Sequence, residues 1–580
     1  MMFNSKIKIV FFIFQLMLMC AATAGVYAED RAKQENLDRI IRSLEQSRGS
    51  HQASGDASGG KCGLWQSFEA HRYWNDFTEP QRVHILSLLS PMSMEKERVI
   101  GHFRISYDTS AGSFDTPALL DAGYQRIPGT AEQFIDSLGR FFNESWEFEI
   151  NRLGYTPPPL PGDGFYPVTV RDLGRGTYGR TLWDESTLID PGPPARYRTS
   201  IEVDNDILVN YAPSRGIPGL KVTAAHEFHH AIQLGGYGLW ANDLYFYEIT
   251  STWMEDVVYN DVNDYYQYLF SEGSQFVHPE IGFTQTSLLI QYSRAIWGKF
   301  IEKRFGRDAM RHTWEYMHQV PTVQGADPSI WAIDRALTDL GTSFRQEFLL
   351  WAFWNFNTGP TATSGRYYTE GQDYPKMRIE SRVDYIPPSS STGGTLQAVS
   401  SSYYRVCILN APTDSCGIRN EMDAIVSNVN TPAAAGANQF PYTYTISSSQ
   451  SDGARHLSNG LYSSMDVPDP ENWSTQETVA SVIGDVVVFP LPFIVRGNKP
   501  LWFRFPERPH SPTATLNVFG SDLDKVVSEE LPVVDFRPLE PAIRWDGHAG
   551  GDLSISTGIY FYVIVVDDKQ YTGKFAAVRE

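Results

Sequence analysis

Cysteine is scarce in this chain: 4 in 580 residues, at positions 20, 62, 407 and 416. That is too few for the disulfide framework that holds small secreted folds together. Positive charge is also short, with 48 Lys and Arg against 68 Asp and Glu for a net charge of −20, and no Lys/Arg run occurs. Phosphate backbones need a basic face, so nucleic acid is excluded as the main partner. Beyond the first thirty residues no apolar run approaches the about 20 residues of a membrane-spanning helix, and no integral span is expected. No motif points to a nucleotide or organic cofactor, and no repeat of about 20 to 50 residues stands out.

What is present suits folded domains. Hydrophobic residues make up 42% and aromatics 13%, and the length exceeds what one core serves, so two to four domains are expected. At the start, Lys6 and Lys8 precede an apolar run from Ile9 to Met19 and a small-residue end at Val26-Tyr27-Ala28. This reads as a secretory signal peptide over residues 1–28, which makes the mature chain exported, secreted or held at the cell surface. The run is short for an anchor. Met19 before Cys20 is also not the small residue a lipid-modified cysteine prefers.

Residues 29–95 are expected to be a propeptide or helical leader, with the linker-like HQASGDASGGK at 51–61 followed by helix over 62–95. From 96 to 375 the texture is α+β. A strand is expected at Gly101–Tyr107, a helix over Ala131–Leu153, and strands at Tyr166–Leu173 and Ser200–Tyr211. Helices follow at Tyr247–Tyr259, Ser287–Phe305, Asp308–Met317 and Phe344–Phe356. Past about residue 388, short β-rich runs separated by Gly, Pro, Asn and Ser suggest β-sandwich modules over 390–510 and 512–580. Cys407 and Cys416 are close enough to pair across a local loop. Cys62 is then left over, either a buried thiol or a thiolate able to cap a metal in a latent form.

The stretch VTAAHEFHHAIQLGG holds His226-Glu227-x-x-His230. With 13 His in the chain, chance would supply roughly 0.02 such patterns. Four residues apart on a helix, His226 and His230 project from one face and can share a tetrahedral Zn²⁺, while Glu227 can reach a water on it as general base. A catalytic zinc needs a third protein ligand. Glu248, eighteen residues past His230 in YEITSTWMED, allows the first helix to end at Gly235-Gly236 and a second to return. Glu248 is expected as ligand and Glu255 as the acceptor that orients a ligand histidine. The reverse assignment stays open, and Asp256 could share Glu255's role. His229 is expected to point elsewhere.

His226-Glu227-x-x-His230 followed by Glu248 resembles the gluzincin arrangement of thermolysin-like and aminopeptidase N-like enzymes. The wording VTAAHEFHHAIQ and EITSTWMED is similar to a family of secreted bacterial metalloproteases best known from myxobacteria, over roughly residues 95 to 360. GHFRISYDTSAG, SIEVDNDI and YSRAIWGKFIEKRFG are further landmarks, and Ile249 departs from the Gly more usual after the glutamate. The resemblance implies a multidomain protein whose 96–375 region is a zincin-like metallopeptidase domain. It further implies that Tyr292 holds the oxyanion and that the strand Ile201–Val209 is the edge that pairs with extended substrate. Residues 512–580, with ATLNVF, RWDG and STGIYFY, resemble the immunoglobulin-like module of hook-capping proteins and the sorting domains of type IX secretion, which implies contact with export machinery.

The expected function is therefore a zinc metalloendopeptidase acting on protein or peptide. Calcium in the acidic loops is a further expected cation. An aminopeptidase would need a group to capture the free α-amine, and no Gly-x-Met-Glu-Asn segment is present. A rival from another class is a non-catalytic surface or adhesion protein stapled by zinc.

Overall fold

The computed structural model describes residues 31–48, 61–110, 112–321, 327–362 and 367–385. Beyond these it describes 389–408, 421–429, 439–447, 461–465, 487–489, 493–495, 500–505, 508–520, 525–537, 540–548, 555, 558–567 and 569–579. The expected signal peptide, the linker at 51–60 and Cys416 lie outside these residues. Cys407 is disulfide-bonded. The chain is a multidomain protein of mixed helix and sheet with several separate sheets. It forms two compact units, one of residues 1–275 and 284–343, the other of 276–283 and 344–580.

The first unit is built on a five-stranded sheet. In chain order its strands and those of a small hairpin are β1 (Lys96–Ile100), β2 (Phe103–Tyr107), β3 (Tyr166–Arg171), β4 (Gly179–Leu182), β5 (Leu188–Asp190), β6 (Arg196–Tyr197) and β7 (Ser200–Asp204). The sheet runs β1-β2-β3-β7-β4. β1 and β2 form a hairpin turned at Gly101, whose φ of 58° suits a residue without Cβ. β2, β3 and β7 are parallel, and β4 lies antiparallel to β7 at the edge.

This corrects the expectation for Ile201–Val209. β7 pairs with β3 on one side and β4 on the other, so it is an inner strand, and the edge strand is β4. After Asp204 the chain turns, because the Asp204 carboxylate accepts from the backbone N–H groups of Leu173 and Ile207, and Ile207 takes a φ of 53°.

Six helices matter to the site: α1 (residues 31–48), α2 (Leu64–Arg72), α3 (Glu79–Leu89), α4 (Ala131–Trp146), α5 (Ile217–Ile232) and α6 (Leu244–Val258). Phe134, Leu138, Phe141 and Phe142 put an apolar stripe on α4, which continues as a π-helical turn over Glu147–Arg152. Rings of Phe142, Phe103, Tyr166 and Phe228 then join α4, the sheet and α5, with Phe103 5.5 Å from Phe228. The segment 62–95, expected to be helical, holds α2, a 3-10 turn over Trp74–Asp76 and α3, and is extended or bent from Ser90 until β1 opens at Lys96. Thr78 and Gln81 cap α3 reciprocally. With α1 these helices enclose a small core of Leu37, Ile40, Leu44, Ala70, Phe77, Ile85 and Leu89, joined by Leu182 of β4.

In the second unit a helix over Phe344–Phe356 precedes β-structure. Two sheets share one core there. One includes Leu501–Arg504 and Glu540–Trp545, the other Phe493–Val495, Thr513–Phe519, Gly558–Val566 and Lys569–Arg579. Phe503 and Tyr562 meet across them with ring centroids 5.0 Å apart. Strands on both sides of residue 511 thus build this core. No helix among the described residues is long and apolar enough to cross a membrane.

Candidate metal centre

α5 is buried on all sides from Val222 to Ile232, and α6 from Tyr245 to Val257. Helices without a polar face belong in a domain's interior, and their polar side chains must find partners there. Those of His226, His230 and Glu248 find one another. Nε2 of His226 lies 3.0 Å from Nε2 of His230. One carboxylate oxygen of Glu248 lies 3.3 Å from the first and 3.6 Å from the second. Two tetrahedral ligand atoms about 2.0–2.1 Å from a zinc stand about 3.3 Å apart. Cys62 completes the group: its sulfur and the three other ligand atoms all lie within 4.8 Å of one another, all buried. This cluster could hold a metal ion.

The other ring nitrogens show which atoms are free to bind. Nδ1 of His226 lies 2.7 Å from Glu255, an acceptor, so Nδ1 carries the proton and Nε2 the lone pair. Nδ1 of His230 lies 2.7 Å from the side-chain oxygen of Gln233. The Gln233 amide nitrogen is turned toward the Tyr247 carbonyl and the Thr250 and Ser251 hydroxyls, which fixes the oxygen toward His230. Two lone pairs and a carboxylate oxygen therefore converge, an arrangement that repels itself without a cation. Without a metal a proton supplies that cation: burial would lower the pKa of His226, but Glu248 and Glu255 outweigh it and raise it to about 9, so a metal ion would bind by displacing the proton from Nε2. Burial would raise the pKa of Glu248, but the hydrogen bonds from His226 and His230 bring it down to about 2.

Glu227 faces β4 at the edge of the cluster. Thr181 of β4 donates to its carboxylate at 2.8 Å, and burial lifts its pKa above the ordinary value. Close approach requires Gly179, since a Cβ there would stand 2.8 Å from side-chain atoms of both Glu227 and Thr223. Tyr292 is buried, its ring stacked on Tyr268 at 4.6 Å and 6.5 Å from that of His226. Burial first, then the charges of Glu248 and Cys62, raise its pKa well above the ordinary value, so it stays a neutral donor. Asp256 pairs with Lys299 of the helix Ile296–Phe305. His229 turns to Glu149, 2.8 Å away. Ile249 is buried.

Sequence reasoning missed Gln233, Thr181 and the Lys61 anchor. Lys61 is buried with its ammonium 2.5 Å from Glu255 and 2.6 Å from Asp264. Asp264 also accepts from the Tyr178 hydroxyl at 3.1 Å. Burial would lower the Lys61 pKa, but the Asp264 and Glu255 charges hold it above the ordinary value. Gln233, three residues past His230, was the one of these with a readable signal.

No family model and no curated protein matches the chain. Among solved structures, dimeric latent PorU from Porphyromonas gingivalis is similar at 17% identity over 35% of this chain and 19% of its own, with a TM-score of 0.17. CopC from Methylosinus trichosporium OB3b is similar at 14% identity over 16% of this chain and 95% of its own, with a TM-score of 0.12. The neural ectodermal development factor IMP-L2 is similar at 9% identity over 34% and 90%, with a TM-score of 0.09. The chain thus spans under a fifth of the PorU chain. Likenesses at these scores identify no function, which is left to the site's own residues.

Proposed function

We propose that the protein is an exported zinc metalloendopeptidase of gluzincin type, its zincin-like domain carrying zinc on His226, His230 and Glu248. One observation carries the reading: the free Nε2 atoms of both histidines and a Glu248 oxygen converge within 3.6 Å, with the Glu227 carboxylate one residue from the first ligand. Zinc bound there supplies Lewis-acid polarisation of the scissile carbonyl and acidifies a water. Glu227 takes the proton of the attacking water and passes it to the leaving amine, a role for which its upward pKa shift suits it. Thr181 holds the Glu227 carboxylate in place. Tyr292, neutral and buried beside the cluster, donates its phenol proton to the developing oxyanion.

Glu255 and Gln233 hold Nδ1 of the two imidazoles and so aim Nε2 of each at the ion. An extended substrate adds to the edge strand β4, whose outer side β7 does not pair. Protein substrates reached outside the cell fit the signal peptide at 1–28 and the C-terminal β-modules, which serve export or surface attachment.

The test uses Glu227→Gln. A charge is lost, the metal ligands are not, so about one zinc per chain is kept while cleavage of an unfolded protein falls by at least about 10²-fold. Equal zinc with equally absent cleavage in parent and variant, after removal of any inhibitory segment, would bring forward the zinc-stapled surface protein.

A further inference from the structure

Cys62 is the member of the cluster that hydrolysis does not use. We propose that it is the fourth metal ligand of a latent form, in which residues 61–63 of the leader occupy the substrate's place along β4. This rests on the peptidase reading above. A catalytic zinc keeps one position open, and here the sulfur stands within 4.8 Å of every other ligand atom. Ordinary buried thiols sit among apolar groups. This one faces two imidazoles and a carboxylate.

Burial and the charges of Glu227 and Glu248 push the Cys62 thiol up, so the group is a neutral thiol until a cation takes the proton's place, and one contact already aims a donor at the sulfur. The backbone N–H of Leu64 points at the sulfur from 3.4 Å, and Leu64 opens the nine-residue α2, so the positive end of that helix lies beside the sulfur. When the Zn–S bond forms, the thiol proton goes to solvent. When it breaks, the sulfur takes a proton back and the position opens to water.

The backbone of the same residues behaves as an added strand. Cys62 forms a parallel bridge with Gly179. Gly63 N–H donates to the Gly179 carbonyl at 3.2 Å, and Tyr178 N–H donates to the Lys61 carbonyl at 2.8 Å. These are the edge groups of β4 that an extended peptide would need. The segment is clamped by Lys61 on Glu255 and Asp264 and by Phe68 against the rings of Trp183 and Tyr247, each 5.2 Å away. The leader has a small core of its own in α1, α2 and α3, into which Leu182 of β4 reaches, and further bonds tie it to the domain: Arg171 donates to the Arg48 carbonyl at 2.6 Å and His71 lies 2.7 Å from Glu185. Its covalent link to the sheet is residues 90–95, which are exposed or half-exposed and open to a protease.

The experiment is zinc X-ray absorption on the zinc-loaded full chain, beside activity on an unfolded protein. The expected result is one sulfur scatterer at about 2.3 Å with the remainder near 2.0–2.2 Å. Cys62→Ser should keep zinc by elemental analysis and lose the sulfur. With the parent open in about 1% of molecules, its cleavage rate should rise about 100-fold. Cys62→Ala repeats the measurement should serine ligate in turn. A zinc shell without sulfur in the parent overturns the proposal whatever the activity. Sulfur present with equal activity in parent and variants overturns latency. Should neither parent nor variants cleave anything even after a cut within residues 90–95, while the parent shows the sulfur, the peptidase reading falls and latency with it, leaving only the ligand assignment standing.

Discussion

Replacing Lys61 by Met removes a buried cation from Glu255 and Asp264 while keeping a side chain of similar length. Lys61, Glu255 and Asp264 have side-chain exposures of 3%, 1% and 0%, with the ammonium 2.5 Å and 2.6 Å from its partners. Removing one partner of such a buried pair costs about 3–5 kcal/mol, because the remaining charges lose their compensation without regaining water. For a unit of this size each kcal/mol moves the midpoint by about 2–4 °C, so a fall of about 6–20 °C is expected by calorimetry at matched zinc.

The pH dependence has a definite sign. The Lys61 pKa is raised in the folded state, so its contribution is fully present below the ordinary lysine value of about 10.4 and is lost only as pH rises through the higher native value. The gap between parent and variant should therefore be flat from about pH 6 to about pH 9. A midpoint difference under about 2 °C, corresponding to less than about 1 kcal/mol, or a gap that closes within that range, would refute the clamp.

Gln233→Leu leaves the Nδ1 proton of His230 without its amide acceptor and should weaken zinc binding about 10- to 100-fold, measured by competition with a chelator of known affinity. Glu248→Ala should abolish stoichiometric zinc in elemental analysis, and undiminished zinc would remove it from the ligand set. Gly179→Ala places a methyl 2.8 Å from Glu227 and Thr223 side-chain atoms, which should cost about 1–3 kcal/mol of stability. Its cleavage rate at equal zinc should fall as β4 and Thr181 back away. An unchanged rate would show that the strand's approach to Glu227 is not needed.

Local spacing made the centre of the site readable. His226 and His230 face one way because a helix repeats every 3.6 residues, and Glu255 lies two turns beyond Glu248 on the same helix. What stayed hidden lay across the chain. Lys61 meets Glu255 over 194 residues and Asp264 over 203, and no periodicity connects such positions. The edge strand was hidden for another reason. β4 is four residues, Gly-Arg-Thr-Leu, buried at each position, so it lacks the alternation that marks an edge. β7, Ser-Ile-Glu-Val-Asp, shows that alternation and so reads as an edge, although its Glu202 is buried against Arg171 and Arg180. Over 62–95 the helical texture is there in α2 and α3, while the break between them, a 3-10 turn at Trp74–Asp76 and the extended Phe77, carries no Gly or Pro to mark it.

Glu255 touches both sides of one boundary: one of its oxygens orients His226, and its carboxylate is gripped by Lys61 of the leader. Leader docking and ion loading are thus linked equilibria, and linkage is reciprocal. By whatever factor a seated leader tightens the hold on the ion, a seated ion tightens the hold on the leader. Under the latent form proposed above, in which the leader supplies a ligand, an ion-free chain would grip its leader more loosely, and the order in which ion and protease arrive would decide how much leader survives.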